Sequence, residues 1–504
     1  MRTMNNSQKT ITSALEELGA ELGVSEADFG GKLKIEGKDP VVASKHHIGE
    51  STSVLLALFG MELAAIWKQR TGNSQDVKVN VHNAVCNLAA VLYAKHNGVT
   101  IPFDDIGLVE TTDFFRCKDG RWVFIVCSLP RLRQLACAVL DCQATKEAFA
   151  DRCMRWNAAE LEEAMSAVGA CCAMVRTREE WFASEQGRIT IAEPLISIEE
   201  IGDSDPIPFT DDCDLPLSGI RVLDNTQIYA GPICSRYASD AGADVLHLLS
   251  PMMPNPPRLD SEVMPGKRSA WCDLTNPSMR DQFWELVKDA DVWVNSCLNL
   301  DSKGISPQQL AAVKPGIICV ELRCYGFSGP WAECGGFEQH GQCVTGFSVN
   351  EGSPDWPINP PTYLLNDVMA GVEAAIGMLE ALRRRAREGG SYLVRVSLAR
   401  NCSWLQDFGL FPENEVRGAG LPESMMTEPG LQAKIRPEFD LPLVTAIGPL
   451  GEVSVVPPQV EFSEFKLGPR FSGESNGASK LDWSVFTLER PEKQGENERP
   501  GRVR

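Results

Sequence analysis

Apolar residues three and four positions apart run through "STSVLLALFGMELAAIWKQR" (51–70) and again through "INPPTYLLNDVMAGVEAAIGMLEALRRRAREGG" (358–390). That period predicts two long helices, the second with one carboxylate, Asp367, at its head. Alternation in "DVKVNV" predicts a strand, and "HNAVCNLAAVLYAKH" continues as a helix. "DFFRCKDGRWVFIV" reads as a hairpin, because two apolar runs flank the turn signal "KDG". Helical patterns fill roughly 130–185, and the Asp- and Pro-rich stretch 201–217 reads as a linker. Beyond it the texture changes. "GIRVLD", "DVLHLL", "SAWCDL", "DVWVNS" and "GIICVELRCYG" are short apolar runs, separated in places by helical stretches such as "PICSRYASDAGA" and "PSMRDQFWELVKDA". Such alternation predicts a parallel, doubly wound sheet with ligands at the carboxyl ends of its strands. GxGxxG is missing, so a dinucleotide site is not supported. Residues 470–504 are charged and rich in Gly, Ser and Pro, and read as a loose tail.

The chain repeats itself. With residue 50 set on residue 367, "ALFGMELAAIWKQRTGNSQDVKV" lies on "AAIGMLEALRRRAREGGSYLVRV" without a gap. Gly60 meets Gly377, Gly72 meets Gly389, and Val77 and Val79 meet Val394 and Val396. Each copy runs helix, Gly-containing turn, strand. Helical composition alone would supply matching alanines but not a turn and a strand in register.

Composition narrows the class. The 504 residues are 43% hydrophobic and 23% charged, with a formal net charge of −20. Two to four globular domains fit that length. The acidic balance argues against a nucleic-acid or anionic-membrane surface, while leaving room for a small anion at a local cluster of Arg and Lys. Seventeen cysteines without a CxxC pair or zinc spacing read as reduced thiols of a cytoplasmic protein, with no metal site. "MRTMNNSQKTITSALEELG" has no apolar core of a signal peptide, and no run of about 18 apolar residues predicts a membrane span. By itself, Asp367 reads first as a plain helix cap, the ordinary role of Asp at such a place, with a reacting group as the alternative.

Longer motifs add to this. "PLSGIRVLDNTQIYAGPICSRYASDAGADVLHL", "GKRSAWCDL", "ADVWVNS", "KPGIICVELRCYGFSGPW" and the helix at 358–390 stand in order over about 216–400. Together they resemble the class III CoA-transferases, the CaiB/BaiF-like group that includes formyl-CoA transferase, carnitine CoA-transferase and α-methylacyl-CoA racemase. Residues 44–83, "FFRCKDGRWVFI" and "VRTREEWFASEQG" resemble later parts of the same family, and 443–463 resembles its closing segment. The chain is thus similar to a rearranged member built from two partial copies.

The resemblance implies an α/β fold, with a parallel Rossmann-like sheet domain and a smaller α+β domain. It divides the chain into a partial copy at 1–210, a CoA-binding domain with the site helix at 211–410, and a closing segment and tail at 411–504. It makes Asp367 the nucleophile of CoA transfer between an acyl-CoA and a carboxylic acid. Ile228, Tyr229 and Ala230 would line the CoA site, and Lys267, Arg268 and Arg323 would meet its phosphates. Coenzyme A would be a substrate, with no permanent cofactor. A racemase or isomerase with Asp367 as base, and an idle CoA-binding subunit, are the alternatives. The family's cation after the second strand is Ser250 here, and its Asn-Phe pair is Ser296 and Cys297. Phe337 stands where racemases carry a His, and His340 is out of register. Glu50 falls opposite Asp367, with Ser51 and Thr52 beside it as further cap candidates, and His46 and His47 read as loop residues. The apolar faces of the two long helices would be covered in a homodimer.

Overall fold

The computed structural model describes residues 8–100, 110–251, 256–362, 364–416 and 443–484. Its centre is a seven-stranded sheet. In spatial order the strands are Arg268–Trp271, Asp244–Leu249, Arg221–Asn225, Val292–Asn295, Ile318–Arg323, Ser391–Ser397 and Ser197–Gly202. The first six are parallel and the last is antiparallel. This is the doubly wound order, and it reverses between Arg221–Asn225 and Val292–Asn295. Ligands of such sheets sit at that crevice, outside the carboxyl ends. Here the crevice is marked by Asn225, whose Nδ2 donates to Asn295 Oδ1 at 3.1 Å.

The sequence repeat has a physical basis. A Cβ on Gly60 would lie 2.6 Å from Val77 Cγ1, and a Cβ on Gly377 would lie 2.4 Å from Val394 Cγ1. In each copy the glycine lets a long helix settle onto the strand that follows it. The strands match as well. Val77–Asn80 is flanked by parallel Leu33–Glu36 and antiparallel Glu461–Phe462, just as Ser391–Ser397 is flanked by parallel Ile318–Arg323 and antiparallel Ser197–Gly202.

The two long helices, Ile48–Thr71 and Leu365–Glu388, pack against each other within the one chain. At their crossing Arg383 donates to Glu62 at 2.7 Å and to Glu380 at 3.0 Å, all three buried. This corrects the expectation that their apolar faces need a second chain, because each face is covered by the other copy. Among the described residues, Ile48–Thr71 is also the helix long and apolar enough to cross a membrane, and it lies in the protein interior.

Three further expectations are refined. The predicted linker begins inside the edge strand Ser197–Gly202, and its later part is pinned by Arg70, which donates to the carbonyls of Thr210, Pro216 and Ser218 at 2.8–2.9 Å. The helical region 130–185 contains the strand Cys171–Met174, which completes a sheet with the predicted hairpin, now Asp113–Arg116 and Trp122–Val126. Cys171, Cys172, Ala173 and Met174 include no β-branched or aromatic residue, so pairing rather than propensity decides it. Residues 470–484 are no loose tail. Glu474 and Ser479 bond the edge strand at Ser269, and Trp483 donates to Leu286 O at 2.9 Å. The remainder of that expectation, 485–504, lies outside the described residues.

Candidate active site

Because the helix Leu365–Glu388 precedes a parallel strand, its amino end lies over the carboxyl edge of the sheet. Asp367 sits in its first turn, 5% exposed. The loop 226–229, after strand Arg221–Asn225, opens the helix Ala230–Asp240, which packs on the next turn of the site helix. A Cβ on Gly371 would lie 2.6 Å from Ala230 O and 2.7 Å from Ile233 Cβ, so only glycine allows this approach. Ile228 is in the left-handed region, φ 70°. For a β-branched residue that is strained by about 1–3 kcal/mol, the kind of backbone kept at ligand sites. Asp367 and Tyr229 are close enough to influence each other electrostatically.

Asp367 does not cap its helix. Glu338, from the helix Glu338–Thr345, accepts the backbone N–H of Asn366 at 3.0 Å on Oε1 and that of Asp367 at 2.5 Å on Oε2. The cap is therefore a carboxylate from 29 residues earlier in the chain, and the Asp367 side chain is left free of that duty. Burial raises the Asp367 carboxyl to about 7. Burial, then the charge of Asp367, pushes Glu338 well above the carboxylate range, against the pull of its backbone N–H donors. Two buried acids this close share charge, so the pair favours one negative charge over two.

Sequence reasoning passed over Glu338. In "GGFEQHGQC" the more conspicuous residue is His340, which is buried, held down to about 4 by that burial, with Nδ1 accepting from Phe337 N at 3.1 Å. The neighbours Gln339 and His340 are polar, so nothing local marks Glu338 as a buried acid.

The expected CoA contacts separate. Ala230 packs on the site helix at Gly371, and Tyr229 lies within electrostatic reach of Asp367. Lys267 faces the core instead: its ammonium is wholly buried and bonded to Asp224 at 2.9 Å, Pro232 O at 2.7 Å and Ser235 at 2.7 Å. The expected phosphate contact is corrected here, because a core ion pair uses all three donors. Although burial alone would raise it, Asp224 is held well below the usual range by Lys267 and His247. Arg268 turns to the C-terminal segment, donating to Ser479 at 3.2 Å and Asp482 O at 3.3 Å. Arg323 ends its strand at the carboxyl edge, partly exposed, bonded to Ala332 O and Glu333 and stacked over Phe327.

The first copy has a parallel arrangement with different chemistry. Asp39 caps the helix Ile48–Thr71 by accepting Glu50 N at 2.8 Å, and burial raises it to about 6. Glu50, the counterpart of Asp367, is bonded to His47 at 2.8 Å and held below its ordinary value by that partner. Ser51 and Thr52 bond back to the carbonyls of His47 and Ile48 rather than capping. The ligand atoms of Asp39, His47 and Glu50 lie within 4.8 Å of one another, but each group already has a partner within the helix head. His46 is buried against Glu351 at 2.7 Å, joining the two copies.

Residues 22–207 and 217–428 match CoA-transferase family III, so the chain belongs to that family and carries two copies of it. It is 28% identical over 330 residues to the acetyl-coenzyme A transferase nodX of Hypoxylon pulicicidum, covering 60% of this chain and 56% of that protein. It is 30% identical over 241 residues to the succinyl-CoA–L-malate CoA-transferase alpha subunit of Chloroflexus aurantiacus, covering 43% and 56%. A solved CaiB/BaiF family protein from Brucella suis is 27% identical, with a TM-score of 0.36 over 38% of this chain and 55% of that one. The chain spans about half the length of the curated relatives it matches.

Proposed function

We propose that this protein transfers CoA between an acyl-CoA thioester and a carboxylic acid, with Asp367 as nucleophile. The observation that carries this reading is a buried first-turn carboxylate, relieved of capping by Glu338 and within electrostatic reach of Tyr229. The Asp367 carboxylate attacks the thioester carbonyl and expels CoA thiolate, leaving a mixed anhydride. The thiolate then attacks the Asp367 carbonyl, releasing the donor acid and leaving an aspartyl-CoA thioester. An acceptor carboxylate attacks that thioester and re-forms an anhydride, and the returning thiolate takes the new acyl group and frees Asp367. Atoms balance without a cofactor, and CoA is a substrate only.

Glu338 fits this cycle. Whenever Asp367 is acylated its charge is gone, and Glu338 then ionises against the helix amino end, where N–H groups and the helix dipole favour an anion. Arg323 is the cation we assign to the CoA phosphates. The cytoplasm is the expected location, on the strength of 17 unpaired cysteines, many with thiols that burial pushes up to about 12. No observation here favours a racemase, since His340 is buried, neutral and turned to the Phe337 backbone.

The relatives' names suggest the assay: acetyl-, succinyl- and formyl-CoA as donors, with malate, citramalate and oxalate as acceptors. New thioesters are detected by mass, and hydroxylamine is added to trap the intermediate. The expected result is transfer for at least one pair, with a hydroxamate on the peptide carrying Asp367. Transfer with the label on another residue would defeat the assignment.

A further inference from the structure

The head of the site helix is gripped from a second side. Asn401, on the helix Leu398–Leu405, is 1% exposed. Its Nδ2 donates to Asn366 Oδ1 at 2.7 Å and to Asn366 O at 3.3 Å. Asn366 in turn gives its backbone N–H to Glu338 Oε1 at 3.0 Å and its Nδ2 to Glu338 O at 3.4 Å. One buried amide thus holds the residue that stands between cap and nucleophile. The grip is confined as well: a Cβ on Gly341 would lie 2.5 Å from Asn366 Nδ2 and 3.3 Å from Leu398 Cβ.

Resting on the reading of Asp367 as nucleophile, we propose that Asn401 is a positioning residue for it. By clamping Asn366, Asn401 keeps the N–H groups of residues 366 and 367 on Glu338, and so leaves the Asp367 side chain free of capping and within electrostatic reach of Tyr229. Burying this amide carries a desolvation cost that its bonds to Asn366 offset.

The clamp acts on a small set of charges. Asp367 is faced by Glu338, by Tyr229 from the loop and by Cys324 after the strand Ile318–Arg323. Cys402, from Asn401's own helix, faces Glu338, and His340 stays neutral on the same helix as Glu338. None of these is altered by changing Asn401. Without the clamp, the N–H bonds that favour ionised Glu338 loosen. Glu338 then stays protonated to higher pH, and Asp367 ionises at lower pH.

The test is Asn401→Ala, assayed with whichever donor and acceptor pair transfers fastest. The expected result is a kcat lower by roughly ten- to a hundredfold, a KM for the acyl-CoA within about twofold, and a pH–rate midpoint lower by about half a unit or more. The midpoint is also read without substrate, from the pH dependence of melting that Asp367→Asn abolishes. Asn401→Ser, whose short hydroxyl cannot reach both Asn366 acceptors, gives a smaller shift of the same sign and serves if the alanine variant does not fold. Unchanged kcat and midpoint in these variants, with Asp367→Asn inactive, would overturn the inference alone. A kcat that falls only in step with melting temperature, at an unmoved midpoint, would also overturn it. An active Asp367→Asn would defeat the nucleophile reading itself.

Discussion

Glu338 Oε2 accepts the backbone N–H of Asp367 at 2.5 Å, so the acid that caps the site helix and the acid free to react are different residues. The two are buried together; burial raises both, and the charge of Asp367 adds to the rise at Glu338.

Asp367→Asn should abolish transfer, with a rate loss of roughly 10³-fold or more, while the fold survives. Stability supplies a second reading. Burial raises the Asp367 carboxyl to about 7 from its ordinary 3.8, so the folded state holds this proton more tightly than the unfolded chain. The stabilisation is complete below about pH 4 and is lost as pH rises through about 7. Asn has no such dependence. The mutant's unfolding free energy, measured against wild type from pH 4 to 8, should therefore gain with pH, by on the order of a few kcal/mol at most, and its melting temperature should rise in step.

Glu50→Gln should leave transfer rates near wild type. Glu50 is paired with His47 and held ionised, and the loop bearing Ile228–Ala230 lies against the other helix. Steady-state kinetics decide this, and a loss matching that of Asp367→Asn would point to two working sites.

Lys267 and Arg323, both expected to meet phosphates, should now separate. Lys267→Met strands the buried Asp224 carboxylate, which should cost about 3–5 kcal/mol of stability in a denaturant titration. Arg323→Glu should cost less stability than Lys267→Met, since its ion-pair partner Glu333 is half-exposed, and should weaken CoA binding by calorimetry. Equal stability losses in the two would contradict the distinction.

Light scattering at micromolar concentration should give a mass near the single chain's 55.2 kDa. The two long helices bury their apolar faces on each other, so no pairing between chains is needed to cover them. A stable mass of twice that value would require an interface elsewhere on the surface.

Much was legible because it is local. Period and turn chemistry located both long helices, the hairpin and most of the parallel strands. The repeat was visible because Gly60 and Gly377 meet valines 17 residues further on in each copy, a constraint written within one helix–turn–strand unit. Asp367 could be singled out by its place at a helix head. Long-range packing decided the rest. Nothing near residue 367 announces that Glu338 takes the cap, nor that Asn401 holds Asn366, because each bond joins segments about 30 residues apart. Lys267 and Arg323 look alike as cations in a sequence. Only the fold turns one inward onto Asp224 and leaves the other at the strand's end, since desolvation depends on what surrounds a charge in space.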